Sequence, residues 1–269
     1  MGFQPRGSGG VATPGYTAYV AKKLKMQLEN FGCAGATTTS IVSFIGCASP
    51  FGPPAGSDAA SYPTSTQEQA TLDFIAAHPG SVDLITISIG GNDIIPCAVA
   101  ANPVTCIESA DATIDGNLTS LVDSLSSALS SAGDTNAQII GQSYLDTFLG
   151  SYVNPGGAAG QSLALLSQLA FDDYSNPTLQ PIYTSETGGS FLDVATAPYK
   201  KATSGVNTPL TILQELAPYG RIPVSVREIC ELTYQCSELN GHPDDKGYTF
   251  IGKLVVADYA SHWQGAVGH

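Results

Sequence analysis

Apolar positions recur at helical spacing in several stretches of the chain, and in two short stretches they gather into strand-like runs. Tyr16, Tyr19, Val20, Leu24 and Leu28 form one stripe, with Lys22, Lys23 and Lys25 mostly off it, which predicts an amphipathic helix over Tyr16–Asn30. A short strand around Leu28–Phe31 competes for the end of that helix. Ile107, Ala110, Ile114, Leu118, Leu121, Val122, Leu125 and Leu129 keep the same spacing and predict a long helix over Ile107–Ala132. Ser65-Thr66-Gln67-Glu68 fits a capping box with Glu68 at the reciprocal position, opening a helix to about Ala77 that His78-Pro79-Gly80 stops. Ser162–Phe171, Pro209–Tyr219 and Lys246–Tyr259 read as further helices.

The strand-like stretches are the apolar run Val82–Ile89 and, later, Ala137–Gly141. The first is short and β-branched, and reads as a strand buried on both faces, as in a parallel sheet. Gly90-Gly91-Asn92-Asp93 follows it directly. Glycines let the backbone turn sharply without a Cβ penalty, and in open α/β sheets ligands bind outside the carboxyl ends of strands. Asn92 and Asp93 therefore stand either at the rim of a site or as the cap of the next helix. Gly32-Cys33-Ala34-Gly35-Ala36-Thr37-Thr38 is a second small-residue turn, open either to close approach of a ligand or to a plain disulfide-bearing bend. Asn240-Gly241-His242-Pro243-Asp244-Asp245 forms a loop before the last helix. Its bland reading is a helix entrance, and a metal site of His242, Asp244 and Asp245 is disfavoured because no other His offers ligand spacing. Gly2–Gly15 and Phe51–Ser65 read as loops, and Gln142–Ser204 is poorly periodic. The aromatics in that stretch, Tyr144 and Tyr199 among them, read as core or as the wall of an apolar pocket.

Composition narrows the partners. The 269 residues carry 23 acids against 10 bases, a formal net charge of −13. Nucleic acid needs Lys and Arg to neutralise phosphates, so it is excluded as a partner, and anionic lipid is disfavoured for the same reason. No apolar run approaches the roughly 18 residues of a spanning helix, which predicts no transmembrane segment. Met1–Gly10 has no apolar core of a signal peptide. The six cysteines fall as Cys33/Cys47, Cys97/Cys106 and Cys230/Cys236. Their clustering favours three local bridges and an oxidising compartment, against the alternative of buried free thiols. Asn117-Leu118-Thr119 is a glycosylation triplet, a pattern frequent by chance.

Taken in order, the Gly-Ala-Thr-Thr turn at 35–38, the Gly-Gly-Asn-Asp turn at 90–93 and the His-Pro loop at 242–243 resemble the SGNH/GDSL hydrolase family, in its secreted, disulfide-bearing branch of lipases and esterases. The resemblance runs from Gly2 to about Tyr259 and is weakest across Ser143–Ser204. It implies a single domain over 1–269, a flavodoxin-like parallel sheet in a three-layer α/β/α sandwich, and bridges Cys33–Cys47, Cys97–Cys106 and Cys230–Cys236. It further implies hydrolysis of carboxylic esters of lipids or small acyl groups by a secreted monomer without cofactor. Matching motifs, Gly35 and Asn92 become oxyanion donors and His242 the general base.

The departures carry equal weight. The family opens on a strand ending in Gly-Asp-Ser, whose Ser is the nucleophile, and no such triplet occurs here. Met1-Gly2-Phe3-Gln4-Pro5 resembles what directly follows that Ser, so the first strand and the nucleophile are expected to be absent from this chain. Ser8 has no strand before it to aim its hydroxyl. Where the family has an Asp two or three residues before the His, this chain has Asn240 and Leu239, with Glu238 one further away. Asn240 is left to orient His242 through a neutral hydrogen bond. The expectations are a truncated ester hydrolase, inactive as written and impaired in folding by exposed strand edges. The alternatives are a non-catalytic pseudo-hydrolase holding an acyl or glycan ligand, and an unrelated α/β module with chance motifs.

Overall fold

The computed structural model describes residues 3–4, 13–47, 60–200, 210 and 213–266. Ser8 and the loop over 51–59 lie outside the described residues. The elements are β1 (Phe3–Gln4), β2 (Thr13–Pro14), α1 (Tyr16–Leu24), α2 (Thr38–Ser43), α3 (Gln67–Ala77), β3 (Leu84–Ile87), α4 (Gly91–Ile94) and α5 (Pro103–Ala132). They continue with β4 (Gln138–Gln142), α6 (Gly157–Leu169), α7 (Asn176–Thr184), β5 (Gly189–Leu192), α8 (Ala197–Lys200), β6 (Leu213–Leu216), β7 (Gly220–Pro223), α9 (Val224–Leu232), α10 (Gln235–Glu238) and α11 (Asp245–Ala266).

The chain belongs to the α/β class. β3, β4 and β5 form a three-stranded parallel sheet in that order, with Ile85 opposite Ile139 and Ile140 opposite Ser190. β1 pairs with β2 and β6 with β7 as separate antiparallel two-stranded units. Side chains alternate across a strand, so the consecutive residues Ile139 and Ile140 serve different cores. Ile139 packs with Ile87, Ile114, Leu118 and Leu125, where α2, α3, α5 and α7 gather. Ile140 packs with Tyr16, Val20, Ile229, Ile251 and Val255 from α1, α9 and α11. The sheet is thus covered by helices on both faces, as unbroken apolar strands require.

The long helix α5 runs 30 residues with the expected stripe inward, begun by Asn102 as cap and stopped by Gly133 in the left-handed region. All three cysteine pairs are bridged, with Cα separations of 5.5, 5.4 and 5.2 Å.

Three expectations need correction. The first helix stops at Leu24 instead of Asn30, because Lys25 turns left-handed at φ 59° and 26–29 leaves without helix or strand. The cap of α3 is Thr66, whose hydroxyl accepts from the Gln69 amide at 3.0 Å, so Glu68 lies inside the first turn and closes no box with Ser65. The helix expected over Pro209–Tyr219 is absent: Leu213–Leu216 is a strand of a hairpin, paired from Leu213–Pro223 to Leu216–Gly220. Pro218 blocks helical continuation, and Gly220 allows the chain to return. β3 has a core on each face, as expected, but is paired along one edge only. Leu84, Ile85 and Thr86 are half-buried, because the edge of β3 away from β4 has no strand beside it among the described residues.

Candidate functional site

The two small-residue turns meet. Gly35 takes φ 73°, which a Cβ would strain, and the Ala36 amide closes the bend on the Cys33 carbonyl at 3.2 Å. Asn92, in the first turn of α4, donates from Nδ2 to the Ala36 carbonyl at 2.9 Å. One proton of its amide is used there; the other is left for a further acceptor. Asp93 makes the second link between the turns. Its carboxylate accepts from the Thr38 amide at 3.0 and 3.2 Å and from the Thr38 hydroxyl at 2.7 Å. An anion at a helix N-terminus satisfies orphan N–H groups and complements the dipole, so Asp93 acts as a clamp on α2. Burial nonetheless pushes its carboxyl above the ordinary range, with the Thr38 bonds pulling the other way. Asn117 of α5 braces the same spot by donating to Thr39 Oγ1 at 3.1 Å and Thr38 Oγ1 at 3.3 Å. The cap reading of Asn92-Asp93 fails for the helix that follows, since Gly90 is the N-cap of α4 and both residues lie inside it; Asp93 instead ties down the first turn of α2, whose own N-cap is Thr37, and Asn92 faces the Gly35 turn.

The His-Pro loop is pinned beside the Cys230–Cys236 bridge. The Tyr234 amide donates to the His242 carbonyl at 3.1 Å and the Asp244 amide to the Leu232 carbonyl at 2.9 Å. The Asp244 carboxylate accepts from the Gly247 amide at 2.8 Å, the helix-entrance role expected of it. His242 places both its main-chain N–H, at 3.1 Å, and its ring Nδ1, at 2.7 Å, on Asn240 Oδ1. Burial pushes the imidazole below its ordinary pKa of 6.5.

A segment that sequence reasoning treated only as a pool of aromatics lies between the two halves. The Tyr144 hydroxyl donates to the Ser88 carbonyl at 2.9 Å, and its ring covers Gly91 so closely that a Cβ there would stand 2.9 Å from Cε2. Three residues on, the Thr147 hydroxyl would stand 3.0 Å from a Cβ at Gly241. The exit of β4 thus touches the neighbour of Asn92 at one end and the neighbour of His242 at the other. The Gly35–Ala36 turn and Asn92 are brought into one contact and His242 and Asn240 into another.

Asp146, between Tyr144 and Thr147, also escaped notice. It is buried, 1% exposed, with its pKa pushed up to about 7 by desolvation, and Ser167 is near enough only to pull it part of the way back. Neither carboxylate oxygen makes a well-formed hydrogen bond among the described residues. Nothing in the local sequence pattern marks it, since its burial is set by α6 and α9 packing from elsewhere in the chain. Among the described residues, no group of three His, Cys, Asp or Glu stands close enough to hold a metal ion, and no helix is long and apolar enough to cross a membrane.

No family model, no curated protein and no solved structure matches this chain.

Proposed function

We propose that this chain is the body of an SGNH/GDSL-type serine ester hydrolase, a secreted enzyme acting on carboxylic esters of lipids or small acyl groups. The proposal includes the flavodoxin-like three-layer sandwich as its architecture. The observation that carries it is the 2.9 Å hydrogen bond from the Asn92 amide to the Ala36 carbonyl, which joins the two small-residue turns. Asn240 adds support, because one oxygen that accepts a main-chain N–H must also accept from Nδ1, leaving the lone pair of His242 on Nε2.

In this reading a serine hydroxyl attacks the ester carbonyl while His242 Nε2 takes its proton. The oxyanion of the tetrahedral intermediate is held by the Gly35 N–H and the Asn92 amide, where losing one such donor costs ~10²–10³ in rate. Collapse expels the alcohol, protonated by His242, and water then releases the acid by the same steps in reverse. A lowered imidazole pKa keeps the base neutral near pH 7, as proton acceptance needs. The serine is not among residues 1–269, so this chain by itself is inactive in the proposal.

The test compares residues 1–269 with the same chain extended at its start by an apolar strand ending in Gly-Asp-Ser. A fluorophosphonate probe is expected to label the added Ser of the extended protein and nothing in the shorter one. His242→Ala is expected to abolish that labelling. A folded extended protein that stays unlabelled, yet binds acyl ligands without turnover, would turn the reading to the non-catalytic alternative.

A further inference from the structure

Three stretches of the chain carry no charge at all. None of the 23 acids and 10 bases falls in 30–47, 94–107 or 147–171, the last bounded by Asp146 and Asp172. The same stretches hold most of the exposed apolar surface. Among the described residues, nine large hydrophobic side chains are exposed, and seven of them lie there. Phe44 and Ile45 follow α2, while Ile95 and Val99 bound the helical turn after α4. Val104 lies in the first turn of α5, and Leu165 and Leu169 share one face of α6. Val99 is 90% exposed.

The three stretches meet around Asn92. The first is tied to the Asn92-Asp93 pair by the Ala36 and Thr38 bonds. The second begins at the residue after Asp93. The third joins the second through a small core, in which Leu166 and Ala170 pack with Cys97 and Ile107 and leave Leu165 and Leu169 on the adjoining outer face of α6. The Cys33–Cys47 and Cys97–Cys106 bridges restrain the first two stretches with Ile45 and Val99 outward. Single exposed hydrophobic residues are ordinary, whereas a joined set marks a binding surface.

The chemistry of the collar selects its partner. Protein interfaces are held in register by directional groups and are rich in Arg, Tyr and Trp. The three stretches contain no Arg, no Trp and one Tyr, Tyr152. Aliphatic side chains without directional partners suit a fluid apolar phase, which has no register to match. Charge supplies the rest. The formal net charge of −13 is carried entirely outside the collar, so an anionic surface is repelled and a neutral one is not.

We infer that this uncharged collar seats the protein on an electrically neutral lipid surface, with Phe44, Val99 and Leu165 among the side chains that enter it. The Asn92 turn is then brought against the lipid. The surface stands on exposure and charge and not on the ester-hydrolase reading, and either can fail without the other.

The experiment floats the 1–269 chain with vesicles of a diether phosphatidylcholine, a neutral lipid without an ester to cleave, so hydrolysis plays no part. Saturable binding is expected, equal at low and high salt, and weaker at low salt once an anionic lipid replaces part of the phosphatidylcholine. Val99→Asp and Leu165→Asp are each expected to weaken binding at least about tenfold, since each removes an apolar group and sets a charge against the acyl phase. Leu213→Asp, at an exposed apolar side chain outside the collar, is expected to leave binding unchanged. Urea unfolding checks that each variant keeps the fold of the parent. Absent flotation, equal loss in all three variants, or binding that grows with anionic lipid and vanishes in salt would overturn the inference. So would concentration-dependent self-association that Val99→Asp abolishes, since a second copy would then cover the collar.

Discussion

Asn240 Oδ1 receives two hydrogen bonds from His242, one from the main-chain N–H at 3.1 Å and one from ring Nδ1 at 2.7 Å. The first identifies the Asn atom as oxygen, since an amide NH₂ cannot accept, and the second then fixes the proton on Nδ1. A neutral amide orients the ring without the charge that a carboxylate would add. Burial is the largest cause of the shift, and it pushes the imidazole below 6.5.

Replacing that amide with a carboxylate at the same place tests this directly. Asn240→Asp is expected to raise the His242 titration midpoint by about 1–3 pH units, because an opposite charge in contact favours the imidazolium. The measurement is a proton NMR titration of the ring. An unmoved midpoint would show that Asn240 does not hold the ring.

Asp93 gives the second prediction. It joins the turn after β3 to the start of α2 through three contacts with Thr38. Asp93→Ala leaves the Thr37 cap of α2 in place but takes the acceptor from the Thr38 N–H and hydroxyl, a loss of about 1–3 kcal/mol in stability. Urea unfolding checks the size. Amide exchange checks the place, with the first turn of α2 expected to open ahead of the rest.

The third concerns the close fit of Tyr144 on Gly91. A Cβ at 91 would stand 2.9 Å from the ring, and the ring is held by its bond to Ser88. Gly91→Ala is expected to cost about 1–3 kcal/mol through overpacking. The same substitution in a Tyr144→Ala background should cost much less, because the obstruction is gone. A double-mutant cycle by thermal unfolding separates the two cases, and an equal cost in both would mean that the strain lies elsewhere.

What could be read from the chain follows from how local each cause is. The stripe of α5, from Ile107 to Leu129, is a property of one helix, and it reappears in the fold with the same residues inward. The cysteine pairs lie within 14 residues of one another, so proximity in sequence already limited their partners. The hairpin at Leu213–Pro223 was misread because four residues are too few to separate a period of 2 from one of 3.6, and Pro218 was the signal passed over. The half-exposed edge of β3 was expected only through the family resemblance, with its absent first strand, and not from the strand's own residues. The run Val82–Ile89 tells what its side chains require on each face, while the strand beside it is decided by the rest of the chain. Gly35, Asn92, Asn240 and His242 were named from the sequence, and two contacts, Asn92–Ala36 and His242–Asn240, carry them in the structure. Tyr144 and Asp146 became site neighbours only through packing across the top of β4, which no local pattern encodes.

Asp146 yields a prediction whose sign is opposite to that of a paired surface carboxylate. Its ordinary value of 3.8 is pushed up to about 7 in the folded chain by desolvation, with the Asp172 charge adding to the shift. Below about 4 both folded and unfolded chains hold the proton, and the full stability is present. Between about 4 and 7 the unfolded chain releases the proton while the folded chain keeps it, so stability falls with rising pH and levels off above about 7. The total contribution is at most about 4 kcal/mol, from 1.36 kcal/mol for each pH unit of displacement. Asp146→Asn keeps the shape and removes the titration. Its stability relative to the unaltered protein is therefore expected to improve from pH about 4 to about 8, read as the difference between urea midpoints at the two ends. Asp172, which faces Asp146 and is itself raised by burial, is left ionisable in that variant and controls for its neighbour. A constant difference across the range would mean that Asp146 is already ionised in the folded chain, with a cation or donor beside it that offsets the burial.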